Sequence, residues 1–505
     1  MLPDCERLPS GVYSVAQVRA MDRAAIEDCG IAGYTLMGRA GAAALDVLRR
    51  RWPTARALRI YCGLGNNAGD GYVVARLARG YGFRVTVVAC APVERLAGDA
   101  AIAARECLAG GVVPVTFAAS QRPQADEIIV DALFGTGLSR PLEGVFADAV
   151  RQIAESGRPV LALDVPSGID ADKGLSAGPT VRADCTIGFV GLKTGYFLGD
   201  APDYVGDIEF ADLDVPAEVY ARAKPLLRRL GLDDIRAALP PRRRSVHKGD
   251  NGRLLVIGGG PGMAGAVRMA GEAALRAGAG LVYLATHPIH APFIAAQVPE
   301  LIVHAVEAPA GSALERLGVD AIALGPGLGR SAWAAAMCQW AANQPQPLII
   351  DADGLNWLAE PAQATAPRQP RVLTPHPGEA GRLLGIPTAD VQRDRLSAVT
   401  ALAERYQATV VLKGAGTLIS APPDGAADVR VCLAGNPGMA TAGTGDVLSG
   451  IAGGVLAQCR DVRSAAYAAV LIHALAGDAA AAAQGERGLV ATDLLGQIQP
   501  WTNLR

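Results

Sequence analysis

The sequence predicts two α/β domains in series, each built on a parallel sheet with helices on both faces. Three observations carry this. Short, unbroken apolar runs alternate with helical stretches from Leu58 onward, the alternation stops in a proline- and arginine-rich stretch at 222–251, and it resumes at Leu254. Strands buried on both faces read as continuous apolar runs, whereas a sheet with one wet face alternates. A length of 505 residues also exceeds what one core usually serves.

In the first half, Arg59-Ile-Tyr-Cys62, Val85-Thr-Val-Val-Ala89, Ile128-Ile-Val130 and Val160-Leu-Ala-Leu163 predict strands, with helices over 72–81 and 145–156. Lys224-Pro225, Pro240-Pro241 and Arg242-Arg-Arg244 then interrupt the pattern around one short helix, 233–239. The seam falls near 225, giving domains 1–225 and 226–505, and the three arginines read as a solvated linker face. In the second half, Leu254-Leu-Val-Ile257, Leu281-Val-Tyr-Leu284, Ala321-Ile-Ala-Leu324, Leu348-Ile-Ile350 and Val410-Val-Leu412 predict strands. Helices are expected over 264–277, 378–384 and 393–406.

The formal net charge of -2 offers no basic field for nucleic acid and no polybasic patch for a membrane. Nine dispersed cysteines include no C-x-x-C pair, which fits reduced thiols in a cytoplasmic protein and excludes a zinc ribbon. The N-terminus lacks an apolar signal region. The Ala-rich stretch 465–483 is interrupted by His473 and Asp478 and reads as a packed helix, not a membrane span. A small-molecule substrate is therefore expected. All six histidines lie beyond the seam, so acid–base chemistry in the first domain must proceed without imidazole.

Three loops in the first half follow strands. Gly63-Leu-Gly65-Asn66-Asn67-Ala68-Gly69-Asp70-Gly71 opens a helix, whose free amides attract phosphate. Its G-x-G-x-x-A start is a weak dinucleotide fingerprint, and the acid expected after the next strand is missing. Asp131 precedes a Gly135-Thr136-Gly137 turn, and Asp164 precedes Pro166-Ser167-Gly168. In parallel sheets such loops converge at the carboxyl ends of the strands.

In the second half, Gly443-Thr444-Gly445-Asp446 runs into an apolar helix over 447–456, behind Gly435-Asn436-Pro437-Gly438. Successive amides at a helix start can stabilise a transferred phosphoryl group, and the Asp446 carboxylate can accept a hydroxyl proton. Thr374-Pro-His376-Pro-Gly378-Glu379 follows a strand, although His376 reads equally as a turn residue. Lys413-Gly414-Ala415-Gly416-Thr417 follows another strand and offers a nucleotide cradle. No Walker A motif occurs.

Residues 63–71, 131–138 and 164–168 resemble the NAD(P)HX epimerase family, a Rossmann-like fold, over about 15–220. The family usually carries glycine where this chain has Ala68, a change that fits if φ stays negative. The resemblance implies that Asn66, Asn67, Ala68, Gly69 and Asp70, with Gly135, Thr136, Gly137, Leu138, Ser139, Arg140 and Pro141, hold the hydrated dinucleotide. It implies a potassium ion (K+) on Asn67, Asp131 and Ser167, and Asp164 against the hydrated ring as the proton carrier. Lys193, in Gly191-Leu-Lys-Thr-Gly195, is a second candidate but reads as a surface turn lysine.

From about 230 to the end, Gly262-Met-Ala-Gly265-Ala266, Gly325-Pro-Gly327-Leu-Gly329, 374–379, 413–417 and 443–446 resemble the NAD(P)HX dehydratase family, a ribokinase-like fold. This implies that Ala266, Gly327, His376 and Asp446 contact the hydrated dinucleotide. Lys413, Gly414, Ala415, Gly416, Thr417 and Gly445 would contact ADP or ATP, with ADP usual in bacterial members. Glu379 would orient Mg2+ through water. The two resemblances together imply repair of NADHX and NADPHX, the hydrated forms of NADH and NADPH. A homo-oligomer is expected, with helices over 15–44 packing against another subunit. Two alternatives remain at this point: a small-alcohol kinase fused to a dinucleotide-binding domain, and a first half that binds a protein partner. Aromatic content of 5% disfavours the latter.

Overall fold

Residues 8–138, 140–309, 313–360, 369–422 and 429–504 are described by the computed structural model. Their contacts divide the chain into two units, Gly11–Leu227 and Arg228–Arg505, the second also including the residues before Gly11.

The first unit contains β1 (Gly11–Tyr13), β2 (Ala57–Cys62), β3 (Arg84–Ala89), β4 (Val115–Thr116), β5 (Glu127–Ala132), β6 (Val160–Leu163), β7 (Cys185–Phe189), β8 (Leu192–Lys193) and β9 (Asp207–Ala211). Seven of these form an all-parallel sheet in the order β4-β3-β2-β5-β6-β7-β9. Residues along β2 alternate between two cores. Leu58, Ile60 and Cys62 pack with the helices Gly33–Arg51 and Asn66–Gly80, while Tyr61 packs with Gly144–Ser156. The order in which strands are added reverses between β2 and β5, which opens a crevice at their carboxyl ends.

The second unit contains β10 (Leu227–Arg229), β11 (Arg253–Ile257), β12 (Leu281–Thr286), β13 (Ile302–Ala305), β14 (Ala321–Leu324), β15 (Leu348–Ile350), β16 (Arg371–Leu373), β17 (Thr409–Leu412), β18 (Thr417–Ser420) and β19 (Val429–Cys432). They lie in the order β13-β12-β11-β14-β15-β16-β17-β18-β19-β10. From β13 to β17 every pair is parallel, but β17, β18 and β19 pair antiparallel. The expected all-parallel sheet is thus corrected at this edge. The turn from Leu412 to Thr417 is too short for a crossover, which needs about a dozen residues.

Helices begin earlier than their apolar periodicity suggests, at Asn66–Gly80 and Thr444–Cys459, because their first turns are the glycine-rich loops themselves. The expected 393–406 helix is found at Arg395–Tyr406, behind a separate short helix, Thr388–Arg393, and the Asp394 side chain caps it through Ser397 N at 3.1 Å. Val462–Gln484 is long and apolar enough to cross a membrane by composition, yet 72% of its most apolar window is buried inside the second unit. It is a core helix. Eight cysteines among the described residues form no disulfide, six of them buried.

Candidate functional sites

A cavity of about 360 Å³ lies at the carboxyl ends of β2, β5 and β6. Gly65, Asn66, Asn67 and Asp70 line it, together with Gly135, Thr136, Gly137 and Asp164. The helix Val15–Glu27 contributes Val18, Arg19, Asp22 and Ile26. That helix is fixed at its start by a capping box in which Ser14 Oγ accepts from Gln17 N at 3.2 Å, and the Gln17 amide accepts from Ser14 N. Arg19 donates to Thr136 O at 3.1 Å, tying the helix to the Gly-Thr-Gly turn.

Asp164 follows β6 with φ 64, a left-handed conformation that side chains rarely adopt. Its neighbours hold it there. Its N–H donates to Ile187 O at 2.9 Å, its carbonyl accepts from Tyr196 Oη, and its Oδ1 accepts from Lys193 Nζ. Lys193 also donates to Phe189 O at 2.9 Å and is only 1% exposed. The expectation of a surface lysine is therefore wrong: the carboxylate and carbonyl compensate its burial. The other oxygen, Oδ2, faces Gly135, where a Cβ would come within 2.9 Å of it.

Three further carboxyls line the cavity, Asp22, Asp70 and Asp99. Burial raises Asp22 to about 6, with the Lys193 charge opposing and that of Asp164 adding. Burial lifts Asp70 well above the usual range, and Asp164 and Asp22 push in the same direction. Behind them Asp131 is fully buried. Its Oδ1 accepts from Ser167 Oγ at 2.7 Å and Leu133 N at 3.2 Å, and its Oδ2 from Ser167 N at 2.8 Å. Burial nevertheless raises it to about 6. Asn67 is also buried, and neither its Oδ1 nor its Nδ2 has a hydrogen-bond partner among the described residues. An orphaned amide oxygen and a buried carboxylate suit an oxygen-seeking cation.

Not every residue named from the sequence lines the cavity. Ala68 and Gly69 are buried in helix packing, and Ala68 keeps a negative φ. Leu138 packs on the opposite core, while Arg140 and Pro141 are exposed outside the lining. Ser139 lies outside the described residues. The 15–44 helices, expected to pack on another subunit, bury Val18, Met21, Leu36, Ala40 and Ala44 in their own core.

In the second unit, charged groups gather at the carboxyl ends of β15, β16 and β17. Asp351, just past β15, is 2% exposed. Lys413 Nζ donates to its Oδ1 at 2.8 Å and Ser449 Oγ to its Oδ2 at 2.7 Å. Glu379 Oε2 lies 3.8 Å from the same ammonium. His376 caps the helix Pro377–Leu384, its Nδ1 accepting from Gly378 N at 3.0 Å and Glu379 N at 3.3 Å. In return Glu379 Oε2 accepts from His376 N at 2.8 Å. Burial, then the Lys413 and Arg382 charges, lowers the His376 imidazole.

Asp446 occupies the first turn of Thr444–Cys459, whose N-cap is Gly443 at φ 93. Thr444 is not the cap. Its Oγ1 donates instead within the preceding loop, toward Thr441 O at 3.0 Å and Met439 O at 3.1 Å. Burial and then the Asp351 charge push Asp446 up to about 7, against Lys413. A Cβ on Gly445 would lie 3.5 Å from Lys413 Nζ, so the helix start faces the charged cluster. His473 Nε2 lies 2.9 Å from Thr444 O, and burial holds this imidazole near 4, neutral and donating. Ala266 and Gly327 meet beside this cluster. A Cβ on Gly327 would approach the Ala266 methyl at 2.8 Å, and Gly325 packs on Asp351 O.

Gly414 and Ala415 are exposed, and Gly416 and Thr417 half-buried, at the turn between β17 and β18. Arg395 supports that turn from below. It is 5% exposed, and its Nη2 reaches Leu412 O at 3.3 Å, Lys413 O at 3.4 Å and Gly416 O at 3.3 Å. Asp22, Asp351, Ser449, Arg395 and His473 were not singled out from sequence for these sites. Asp351 carried a usable signal, an acid directly after an apolar strand.

Residues 33–195 match the family model described as YjeF-related protein N-terminus, and residues 254–500 match that of NAD(P)H-hydrate dehydratase. The chain is 45% identical over 493 residues to the bifunctional NAD(P)H-hydrate repair enzyme Nnr of Coxiella burnetii, covering 97% of this chain and 99% of that one. It is 42% identical over 499 residues to the Escherichia coli enzyme of the same name, covering 98% and 95%. Among solved structures, it is similar to the ADP/ATP-dependent NAD(P)H-hydrate dehydratase of Bacillus subtilis co-crystallised with ATP/Mg2+. There the identity is 30% and the TM-score 0.48, over 54% of this chain and 96% of that chain.

Proposed function

Since the chain belongs to the family of bifunctional NAD(P)H-hydrate repair enzymes, we propose that Asp164 moves the proton in epimerisation and Asp446 the proton in dehydration. The first domain interconverts the R and S forms of hydrated NADH and NADPH, and the second returns the S form to NAD(P)H using an adenine nucleotide. Asn66, Asn67 and Asp70 hold the dinucleotide from the helix start, and Gly135 to Gly137 from the facing loop. Asp164 Oδ2, left free by Lys193, faces the hydrated ring. General acid–base transfer of this kind contributes about 10²–10⁴-fold.

In the second domain Ala266, Gly327 and His376 position the hydrated ring beside Asp446, while Lys413 to Thr417 and Gly445 hold the nucleotide. Asp446 takes the C6 hydroxyl proton as the hydroxyl oxygen attacks the terminal phosphoryl group, releasing AMP from ADP or ADP from ATP. The ring nitrogen then expels phosphate, and loss of a C5 proton restores the dihydronicotinamide. ADP is the donor favoured by this reading. Hydroxide leaves poorly and phosphate well, which is why a kinase-like centre suits a dehydration. The observation that carries this reading is the Asp446 carboxyl, held near 7 at a helix start and facing Lys413.

K+ fits Asn67, Asp131 and Ser167, where it would offset the Asp131 charge and give the orphaned Asn67 oxygen a partner. Mg2+ fits Glu379 only through water, because His376 already engages that carboxylate; its chemistry would be to offset phosphate charge. The reading includes a cytoplasmic homo-oligomer, supported by the cysteines, none disulfide-bonded among the described residues, and by exposed Ile289 and Phe293.

The test is to add the protein to mixed-epimer hydrated NADH and follow dihydronicotinamide absorbance without nucleotide, with ADP and with ATP. Full nucleotide-dependent recovery is expected. Recovery halting near half would deny the epimerase, and none would favour a small-alcohol kinase.

A further inference from the structure

We infer that Asp22 is a second acid–base group of the epimerisation, serving the face of the hydrated ring opposite the one that Asp164 serves. The inference rests on the reading of Asp164 as a proton carrier.

Epimerisation at C6 must remove a hydroxyl from one face of the ring and return one to the other. A single carboxyl fixed on one wall reaches one face. The cavity has two walls bearing carboxyls of this kind. Asp164 stands on the strand-end wall, with its backbone pinned by Tyr196 and Ile187 and its Oδ1 held by Lys193. Asp22 stands on the helical wall. Val18, Asp22 and Ile26 are one turn apart on one face of Val15–Glu27, and all three line the cavity. The Arg19 bond to Thr136 O keeps that face against the Gly135 turn, toward which Asp164 Oδ2 points.

Asp22 is free for this work. It makes no hydrogen bond or ion pair among the described residues, although Arg19 and Arg23 flank it on its own helix. Asp164, Asp70 and Lys193 face it from the other elements. Three carboxyls share one ammonium, so a proton held by one member favours ionisation of another. Burial, with the Asp164 and Asp22 charges, favours the protonated form of Asp70. Asp22 and Asp164 are the pair left to exchange roles.

The step balances without a further reagent. The protonated member gives its proton to the C6 hydroxyl, the C–O bond breaks with the ring nitrogen pair forming C6=N+, and water leaves. A water on the other face adds to C6 and gives its proton to the ionised member. The two carboxyls end with exchanged protonation, and the reverse reaction resets them.

The experiment uses full-length Asp22→Asn and Asp164→Asn, with an unchanged calorimetric unfolding transition of the first domain as the control that each variant is folded. Each separated epimer is incubated in ¹⁸O-water, and both interconversion and label in the C6 hydroxyl are measured above the uncatalysed rate. Asp22→Asn is expected to lose about 100-fold in interconversion yet still to label one epimer with retention, and Asp164→Asn to label the other. Asp22→Glu should recover part of the interconversion. Interconversion within a few-fold of wild type in Asp22→Asn, with Asp164→Asn inactive, would overturn the role of Asp22 alone. Full activity of Asp164→Asn would overturn the reading beneath it. Loss of both labelling and interconversion in Asp22→Asn, with the first-domain unfolding transition unchanged, would also overturn the inference, since Asp22 would then serve only to shape the site.

Discussion

Lys413 Nζ lies 2.8 Å from Asp351 Oδ1, joining the turn after β17 to the end of β15 through a buried ion pair. Burial alone would push the Asp351 carboxyl up, but the Lys413 charge, with hydrogen bonds from Lys413, Ser449 and Thr374, holds it below the usual range. Removing the ammonium leaves that charge buried and uncompensated. Lys413→Met should therefore destabilise the second domain by about 3–5 kcal/mol, read by urea unfolding, and abolish dehydration. The lowered Asp351 carboxyl adds stability above its unfolded value of 3.8, and that contribution is lost as pH falls through its lower folded value. Unchanged stability at neutral pH would remove the pair from the account.

Asp446 gives a sign for activity against pH. A base must be ionised, and this carboxyl is held near 7, mainly by burial and the Asp351 charge. Dehydration measured as kcat/KM should rise with pH through an apparent value near 7 and then level off. Asp446→Asn should lose about 10²–10⁴-fold in kcat and gain stability at pH 8, since it removes a carboxylate ionised at a cost. An acid limb near 4 would show that another group is being titrated.

The parts of these sites that sequence revealed are those built locally. Continuous apolar runs mark β6, β14 and β15 to the residue, and an acid after a strand marks Asp131 and Asp164. Asp351 stands in the same position after Leu348-Ile-Ile350, but the Asp353-Gly354 that follows belongs to a helix, Ala352–Leu358, and not to a turn. Lys193 sits between Gly191 and Gly195, which suggest a surface turn; its burial depends on Asp164, distant in sequence. Asp22 lies among Arg19 and Arg23, a pattern indistinguishable from a solvated helix face until the cavity is assembled. The antiparallel edge at β18 and β19 was hidden because strand direction depends on connection length, not on the apolar pattern.

Arg395 gives a test of the proposed nucleotide turn. Its guanidinium shares the carbonyls of Leu412, Lys413 and Gly416, and burial lowers it only to about 10, so it remains charged. Arg395→Met should loosen the turn and raise KM for the adenine nucleotide roughly tenfold, a loss of ~1.4 kcal/mol, while KM for hydrated NADH stays within a few-fold. Arg395→Lys should not restore it, because one ammonium lacks the planar fork. Equal increases in both KM values would place the turn outside the nucleotide site.

The orphaned Asn67 amide gives a test of the cation that does not depend on activity. Asn67 Oδ1 is buried without a partner among the described residues, and Asp131 is buried close to the same strand ends. A cation bound there only in the folded state stabilises it by mass action. At roughly ten times its dissociation constant, K+ should contribute ~1.4 kcal/mol, raising the unfolding midpoint of the first domain by about 3–6 °C. The comparison is potassium chloride against choline chloride at equal ionic strength, by scanning calorimetry. Asn67→Ala should lose most of the increment and Ser167→Ala part of it. An equal rise with choline, or an undiminished rise in Asn67→Ala, would show that the amide oxygen does not hold the ion.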